Sequence, residues 1–293
     1  MATVIVYNPN AGKGRGERHA KKLQSKMCDC ELFCATSIPA MQEFWAGEEA
    51  KRYSKIVLIG GDGTIGPNVD AIIKNGLTTP IYSYGRGTAN DFASHFRTNI
   101  RPSRAARIIE TGKTLEVDTL LVGENSYAVN VASGGAFTNG VTNYSKKAKR
   151  RFGKMAYVTK AALQAFTMKS QDVKFTVDDK CFCADIFVFY IANTKNVGGQ
   201  KRAANLADPS DGLLDLVCVK RCGFFGKLSV VFAKAFGRMS KCKHIIYAQG
   251  KNFCVEPVLP VINNFTITDT DGNASDAYPM KVTLGPKMLI IVP

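Results

Sequence analysis

Three stretches of the chain place small, amide, hydroxyl and carboxylate residues where a strand should give way to a helix. They are "NPNAGKGRG" (8–16), "GGDGT" (60–64) and "GRGTANDFA" (85–93). Glycine lets main-chain N–H groups approach a phosphate closely, and a helix N terminus adds partial positive charge. In the first stretch Lys13 and Arg15 can add full charges, although its spacing is not that of a P-loop. In the second, Gly60, Gly61 and Gly63 surround Asp62. A carboxylate beside bound phosphates repels them unless Mg²⁺ or a proton-donating hydroxyl intervenes, so the pattern suits phosphoryl transfer to an alcohol. In the third, Thr88 can bond phosphate, Asn90 can orient it and Asp91 can hold a neighbouring group. Helix capping is the structural alternative there. A fourth stretch, "SDGLLD" (210–215), reads by itself as a plain β-turn.

The elements around these stretches alternate. "TVIVY" (3–7), "CELFCAT" (30–36), "KIVLIG" (55–60) and "PIYSYG" (80–85) read as strands. Helices are expected over 15–27, 39–53, 68–76 and from 88 onward. That order predicts a doubly wound α/β domain over residues 1–120 with a parallel sheet, whose ligands sit beyond the carboxyl ends of the strands. After about Val117 short β-branched and aromatic runs predominate, from "TLLVG" to "MLIIVP". They predict an antiparallel β-sandwich-like domain over 121–293, interrupted by helices near 144–168 and 224–241. Whether the last strand returns to the first domain is left open.

The 293 residues carry 39 Lys and Arg against 24 Asp and Glu, a formal net charge of +15. Such an excess favours an anionic partner. From Val219 to Val255 there is no acidic residue, and Phe224, Phe225, Leu228, Val231, Phe232, Phe236 and Met239 recur at helical spacing among lysines. A basic amphipathic helix suits an anionic bilayer. A core-facing apolar stripe is the plainer reading. No nucleic-acid-binding module is present, so nucleic acid is not expected as a partner. No run reaches the ~20 apolar residues needed to span a bilayer, and the N terminus lacks a secretory core. The expected location is cytoplasmic with peripheral membrane association. Nine cysteines without zinc-type spacing read as reduced thiols on strands.

Taken in order and spacing, "NPNAGKG", "GGDGT" and "GTANDFA" resemble the diacylglycerol kinase catalytic-domain family. The likeness is greatest to its soluble bacterial lipid kinases, which are related to sphingosine and ceramide kinases. "DGLLDLVCV" (211–219) and the segment from Asp269 onward extend it over nearly the whole chain. The resemblance implies an ATP- and Mg²⁺-dependent lipid kinase, with diacylglycerol the first expected acceptor, acting at an anionic membrane surface; a homodimer stays open. It implies nucleotide contacts at Asn8, Pro9, Asn10, Ala11, Gly12, Thr36, Gly60, Gly61, Asp62, Gly63, Thr64, Gly66 and Thr88. It places a structural Mg²⁺ on Asp211, with main-chain carbonyls near Asp208 and Leu213. Two departures stand out. Gly66 and Pro67 replace an Asn-Glu pair, and "Asp271-Gly272-Asn273" replaces Asp-Gly-Glu, whose Glu is the family's proposed base. An amide cannot take the proton, which leaves Asp62, Asp271 or Asp276 for that work, or an inactive nucleotide or lipid sensor. An NAD-kinase-like enzyme with a soluble substrate is the other alternative, since "GGDGT" is shared with that family.

Overall fold

The computed structural model describes residues 2–135, 169–261, 265, 268–271, 273–275 and 278–293. The helix expected near 144–168 and the candidate base Asp276 lie outside the described residues.

The first layer system runs β1 (Thr3–Tyr7), a short turn α1 (Ala11–Gly14), α2 (Gly16–Gln24), β2 (Cys30–Cys34), α3 (Ile38–Ala46), β3 (Lys55–Gly60), α4 (Asp62–Lys74), β4 (Ile81–Gly85), α5 (Asp91–His95), α6 (Pro102–Thr111) and β5 (Lys113–Val117). The second runs β6 (Leu120–Val122), β7 (Ser126–Ala128), β8 (Val131–Gly135), β9 (Gln171–Val177), β10 (Lys180–Ala192), β11 (Leu214–Lys220), α7 (Phe224–Ala235), β12 (Ile245–Gly250), β13 (Asn252–Pro257), β14 (Thr268–Thr270), β15 (Asn273–Ser275) and β16 (Met280–Leu284). The chain closes with β17 (Met288–Val292), which lies in the first sheet between β4 and β5.

The first sheet has six strands in the order β2-β1-β3-β4-β17-β5, parallel except at β17–β5. Its central strands read as unbroken apolar runs because both faces are covered. Val4, Val6, Ile56 and Leu58 pack on one side with Trp45, Val69 and Ile72 of α3 and α4. Ile5, Tyr7, Val57 and Ile59 pack on the other with Leu23, Ala105 and Ile109 of α2 and α6. Among the described residues the second sheet has eleven strands, all paired antiparallel, and folds around a core that includes Phe175, Phe189, Leu216, Phe253 and Val282. An α/β domain followed by a sandwich-like β domain is therefore the architecture, as the sequence predicts.

Two helices differ from their expectations. The helix expected over 39–53 ends as α3 at Ala46, and a 3-10 turn follows over Glu48–Arg52 after extended Gly47. α4 begins at Asp62, not at residue 68, and so takes in Gly63, Gly66 and Pro67. Glycine and proline each cost a helix interior stability, about 1 and 3 kcal/mol relative to Ala. Packing overrides that here. Ile65, Val69 and Ile72 are buried in the sheet core. Asn68 is also buried and ties the helix down, accepting from the Trp45 indole N–H at 2.9 Å and donating to the Thr64 carbonyl at 2.7 Å.

Candidate functional site

Register places the site. Tyr7 lies abreast of Cys34 and Ile59, and Gly60 abreast of Gly85. The four parallel strands therefore end level, and the residues that follow them share one edge: Asn8, Thr36, Gly61 with Asp62, and Arg86 to Thr88. Thr36 and Thr88 are exposed there.

Close backbone approach explains the bare glycines. A Cβ at Gly87 would fall 2.4 Å from Gly61 Cα, so the turns after β3 and β4 touch main chain to main chain. The Arg86 N–H donates to the Gly60 carbonyl at 2.6 Å across the same contact. After β1, Gly12, Lys13 and Gly14 all have positive φ, of 60, 65 and 77°, and the loop coils back beneath α2. A Cβ at Gly16 would lie 1.9 Å from the Asn8 carbonyl oxygen. Gly16→Ala is expected to displace this loop and lower stability by about 3 kcal/mol or more. A urea midpoint within error of the parent protein would contradict the packing.

The side chains of the first turn brace the second. Asn8 Nδ2 lies 3.4 Å from Thr64 Oγ1, and Asn8 Oδ1 accepts from the Asn10 N–H at 2.9 Å. Pro9, Ala11 and Gly63 need no side-chain role; a Cβ at Gly63 would meet open space. The Asn90 amide is engaged within its own loop. It closes a ring with Gly87, accepting from the N–H at 2.6 Å and donating to the carbonyl at 3.0 Å, with φ at 53°. This shapes the loop that carries Thr88.

Three carboxylates meet beneath the edge. Asp62 Oδ1 accepts from the Phe92 N–H at the start of α5 at 3.4 Å. Burial raises its pKa above the ordinary carboxylate range, and the N–H groups of residues 90–92 pull it back. Asp91 accepts from the Gly199 N–H of the second domain at 2.7 Å. Burial first, opposed by that N–H and reinforced by the charge of Asp62, brings Asp91 to about 6. Asp271, on the late loop, is only 4% exposed. Its carboxylate accepts from the N–H groups of Val129, Asn130 and Val131 at 2.8, 3.0 and 2.9 Å. Burial raises it to about 7 against those donors, with Asp62 adding a smaller push. Both oxygens of Asp271 are thus engaged in holding the entry to β8.

Gly66 is shaped by the same residue. A Cβ there would stand 3.0 Å from Asp271 Cβ and 3.1 Å from its Oδ2. The departure at position 66 therefore makes room for the late loop against α4. Asn273 opens β15 opposite Thr270.

The "SDGLLD" segment forms a turn rich in acids. Asp208 Oδ1 accepts from the Ser210 hydroxyl at 2.7 Å and its N–H at 3.1 Å, and Asp211 Oδ1 from the Leu213 N–H at 2.9 Å. Two acids of the segment's surroundings escaped the sequence reading. Buried Asp118 accepts from the Gly212 N–H at 2.8 Å. Asp215, fully buried, accepts from the Tyr247 hydroxyl on Oδ1 at 2.5 Å. The second Asp of "DGLLD" was the available signal for it. Among the described residues no group of three His, Cys, Asp or Glu has metal-holding geometry. The donors fit a hard cation in another way: all are oxygen, and Asp211, raised by burial, is raised further by Asp208 and Asp118, a repulsion that a cation would relieve.

Asp215 gives a pH test. Burial lifts it to about 6, against hydrogen bonds from Tyr247 and Gln249. A folded pKa above the unfolded one means that its contribution is full below the unfolded carboxylate pKa and is lost as pH rises through about 6. Asp215→Asn keeps the acceptor for Tyr247 and removes the titration. Its stability relative to the parent should rise between pH ~4 and ~7, by a total on the order of 2 kcal/mol. Parallel urea midpoints across that range would contradict the burial of a charge.

The comparisons with known proteins fall on the same two-part division. The diacylglycerol kinase catalytic domain matches residues 2–122. The YegS C-terminal NAD kinase beta sandwich-like domain matches residues 129–293. A diacylglycerol kinase of Bacillus subtilis (strain 168) is 27% identical over 252 residues, covering 84% of this chain and 82% of that protein. One from Staphylococcus epidermidis (strain ATCC 12228) is 28% identical over 289 residues, covering 95% and 86%. In fold, a crystal structure of a diacylglycerol kinase from Bacillus anthracis str. Sterne aligns over 100% of this chain and 97% of its own, with TM-score 0.80 at 20% identity. With the YegS C-terminal model over more than half its length and the diacylglycerol kinase catalytic-domain model over its first part, the chain belongs to the family that carries the YegS-type C-terminal domain, here joined to a diacylglycerol kinase catalytic domain.

Proposed function

We propose that this protein is an ATP-dependent lipid kinase that passes the γ-phosphate to a lipid hydroxyl, converting diacylglycerol to phosphatidate. The observation that carries the reading is the level edge of four parallel strands, where Asn8, Thr36, Asp62 and Thr88 emerge together. Family membership and the names of the relatives support a lipid acceptor over NAD.

The roles follow from position. Main-chain N–H groups of residues 8–12 and 60–64, with Lys13 and Arg15, cradle the phosphates. Thr36 and Thr88 offer hydroxyls to the nucleotide. Asp62, raised by burial, is the better placed of the described acids to accept the lipid hydroxyl's proton, since Asp271 is committed to three backbone donors. Mg²⁺ would supply charge neutralisation on the phosphates. A second, structural Mg²⁺ would be held by Asp211 with carbonyls near Asp208 and Leu213.

A second reading, a nucleotide-binding sensor that does not turn over, rests on Asn273. Transfer to diacylglycerol in mixed micelles, with ATP binding measured alongside, separates the two. If the family's base belongs at this position, Asn273→Glu should raise turnover by about tenfold or more, the full ~10²–10⁴ of general-base catalysis being reduced by Asp62. Parent and variant that both bind ATP and both fail to transfer would favour the sensor.

A further inference from the structure

We infer that α7 is a membrane-docking element whose outward face inserts into an anionic bilayer. The inference rests on the lipid-kinase reading and names the surface that reading would use. Phe224, Phe225, Leu228, Val231, Phe232 and Phe236 are exposed on and just beyond this one helix, Phe225 at 82%, Phe236 at 70% and Val231 at 60%. At 100° per residue these six fall within an arc of about 140°. The face that packs on the protein is smaller. Gly226 is buried against Cys222 and His244, and Val230 and Ala233 lie against the core around Tyr190 and Met239. Of the two arrangements open to this stretch, the apolar stripe faces outward and not to the core.

Exposed aromatic side chains of this size on contiguous turns mark a surface that something covers. Charge selects the occupant. No acidic residue occurs from 219 to 255. Arg238, Lys241 and Lys243 are exposed just past the helix, and Arg221 just before it. Lys227 sits over the Phe187 ring at 4.7 Å and Lys234 donates to Gln200, so both flank the stripe from the protein side. A cavity of about 980 Å³ at the start of α7 is lined by Lys220, Arg221 and His244, with Asp185 paired to Arg221 at 3.2 Å. A second copy of the chain packed about a two-fold axis on α7 would bring two such basic rims together. An anionic bilayer meets both requirements, with apolar depth for the phenylalanines and lipid phosphates for the rim.

The test is co-sedimentation with vesicles of phosphatidylcholine mixed with phosphatidylglycerol, against pure phosphatidylcholine. The parent protein should bind the anionic vesicles and release as salt rises. Phe225→Ser with Phe232→Ser and Phe236→Ser should weaken that binding by at least about tenfold with an unchanged urea midpoint, since none of the three is buried. Arg238→Gln with Lys241→Gln and Lys243→Gln should erase most of the preference for anionic over neutral vesicles and leaves the apolar face untouched. The inference is overturned if the parent protein does not bind anionic vesicles. It is overturned equally if the serine variant binds as the parent does, or if that variant only turns a solution dimer into a monomer. Transfer to a short-chain acceptor dispersed in detergent is measured in parallel. Transfer without vesicle binding removes the docking claim alone, and vesicle binding without transfer removes the kinase reading alone.

Discussion

Asp62→Asn should give a folded protein that transfers phosphate at least about a hundredfold more slowly. The substitution is structurally mild because the Asn Oδ1 can still accept from the Phe92 N–H, now met at 3.4 Å. What it removes is the charge and the basicity. Burial already holds the Asp62 pKa above the ordinary carboxylate range, which makes it a stronger proton acceptor than a solvated Asp. The same shift predicts that the acid limb of the rate profile lies at higher pH than for an ordinary carboxylate, because the base works only when deprotonated. Initial rates of the parent and variant, with ATP affinity measured separately, decide the matter. Retention of more than about a tenth of the rate, some 1.4 kcal/mol of barrier, would take Asp62 out of the catalytic set.

The largest loss of stability is expected at Asp271→Ala. Its carboxylate receives three buried backbone N–H groups, those of Val129, Asn130 and Val131. Alanine leaves all three without a partner, at about 1–3 kcal/mol each. A loss of several kcal/mol is a large part of the 5–15 kcal/mol that holds a typical domain together. Asp271→Asn separates the contributions. It keeps an acceptor but brings two N–H donors towards backbone donors, so it should recover only part of the loss. Chemical unfolding of both variants reads the difference. If Asp271→Ala unfolds at the parent's midpoint while losing activity, the residue serves the chemistry and not the joint.

Much of the first domain was legible because its signals are local. "TVIVY" and "KIVLIG" are buried strands over the residues expected, since a parallel sheet covered on both faces demands continuous apolar runs. The level strand ends follow from the same runs. The start of α4 was not legible. Gly63, Gly66 and Pro67 argue against a helix locally, and what keeps them helical is distant in sequence: Trp45 bonding Asn68, and Asp271 lying against Gly66. The same distance hid the role of Asp271. Its triplet was readable as a motif, but its partners lie some 140 residues earlier. For the stretch around α7 the helical period was plain and its direction was not. Period fixes which residues share a face, while only the packing of Gly226, Val230 and Ala233 fixes which face points inward.

The proposed activity turns on the identity of the phosphoryl acceptor. The most direct measurement is transfer from radiolabelled ATP to a panel of diacylglycerol, sphingosine, a polyprenol and NAD, with Mg²⁺ present and the Asp62→Asn protein as the blank. Label is expected in phosphatidate, with little in the other three and none above background with the variant. Label in NAD, or no label in any lipid from a protein that still binds ATP, would contradict the proposed activity.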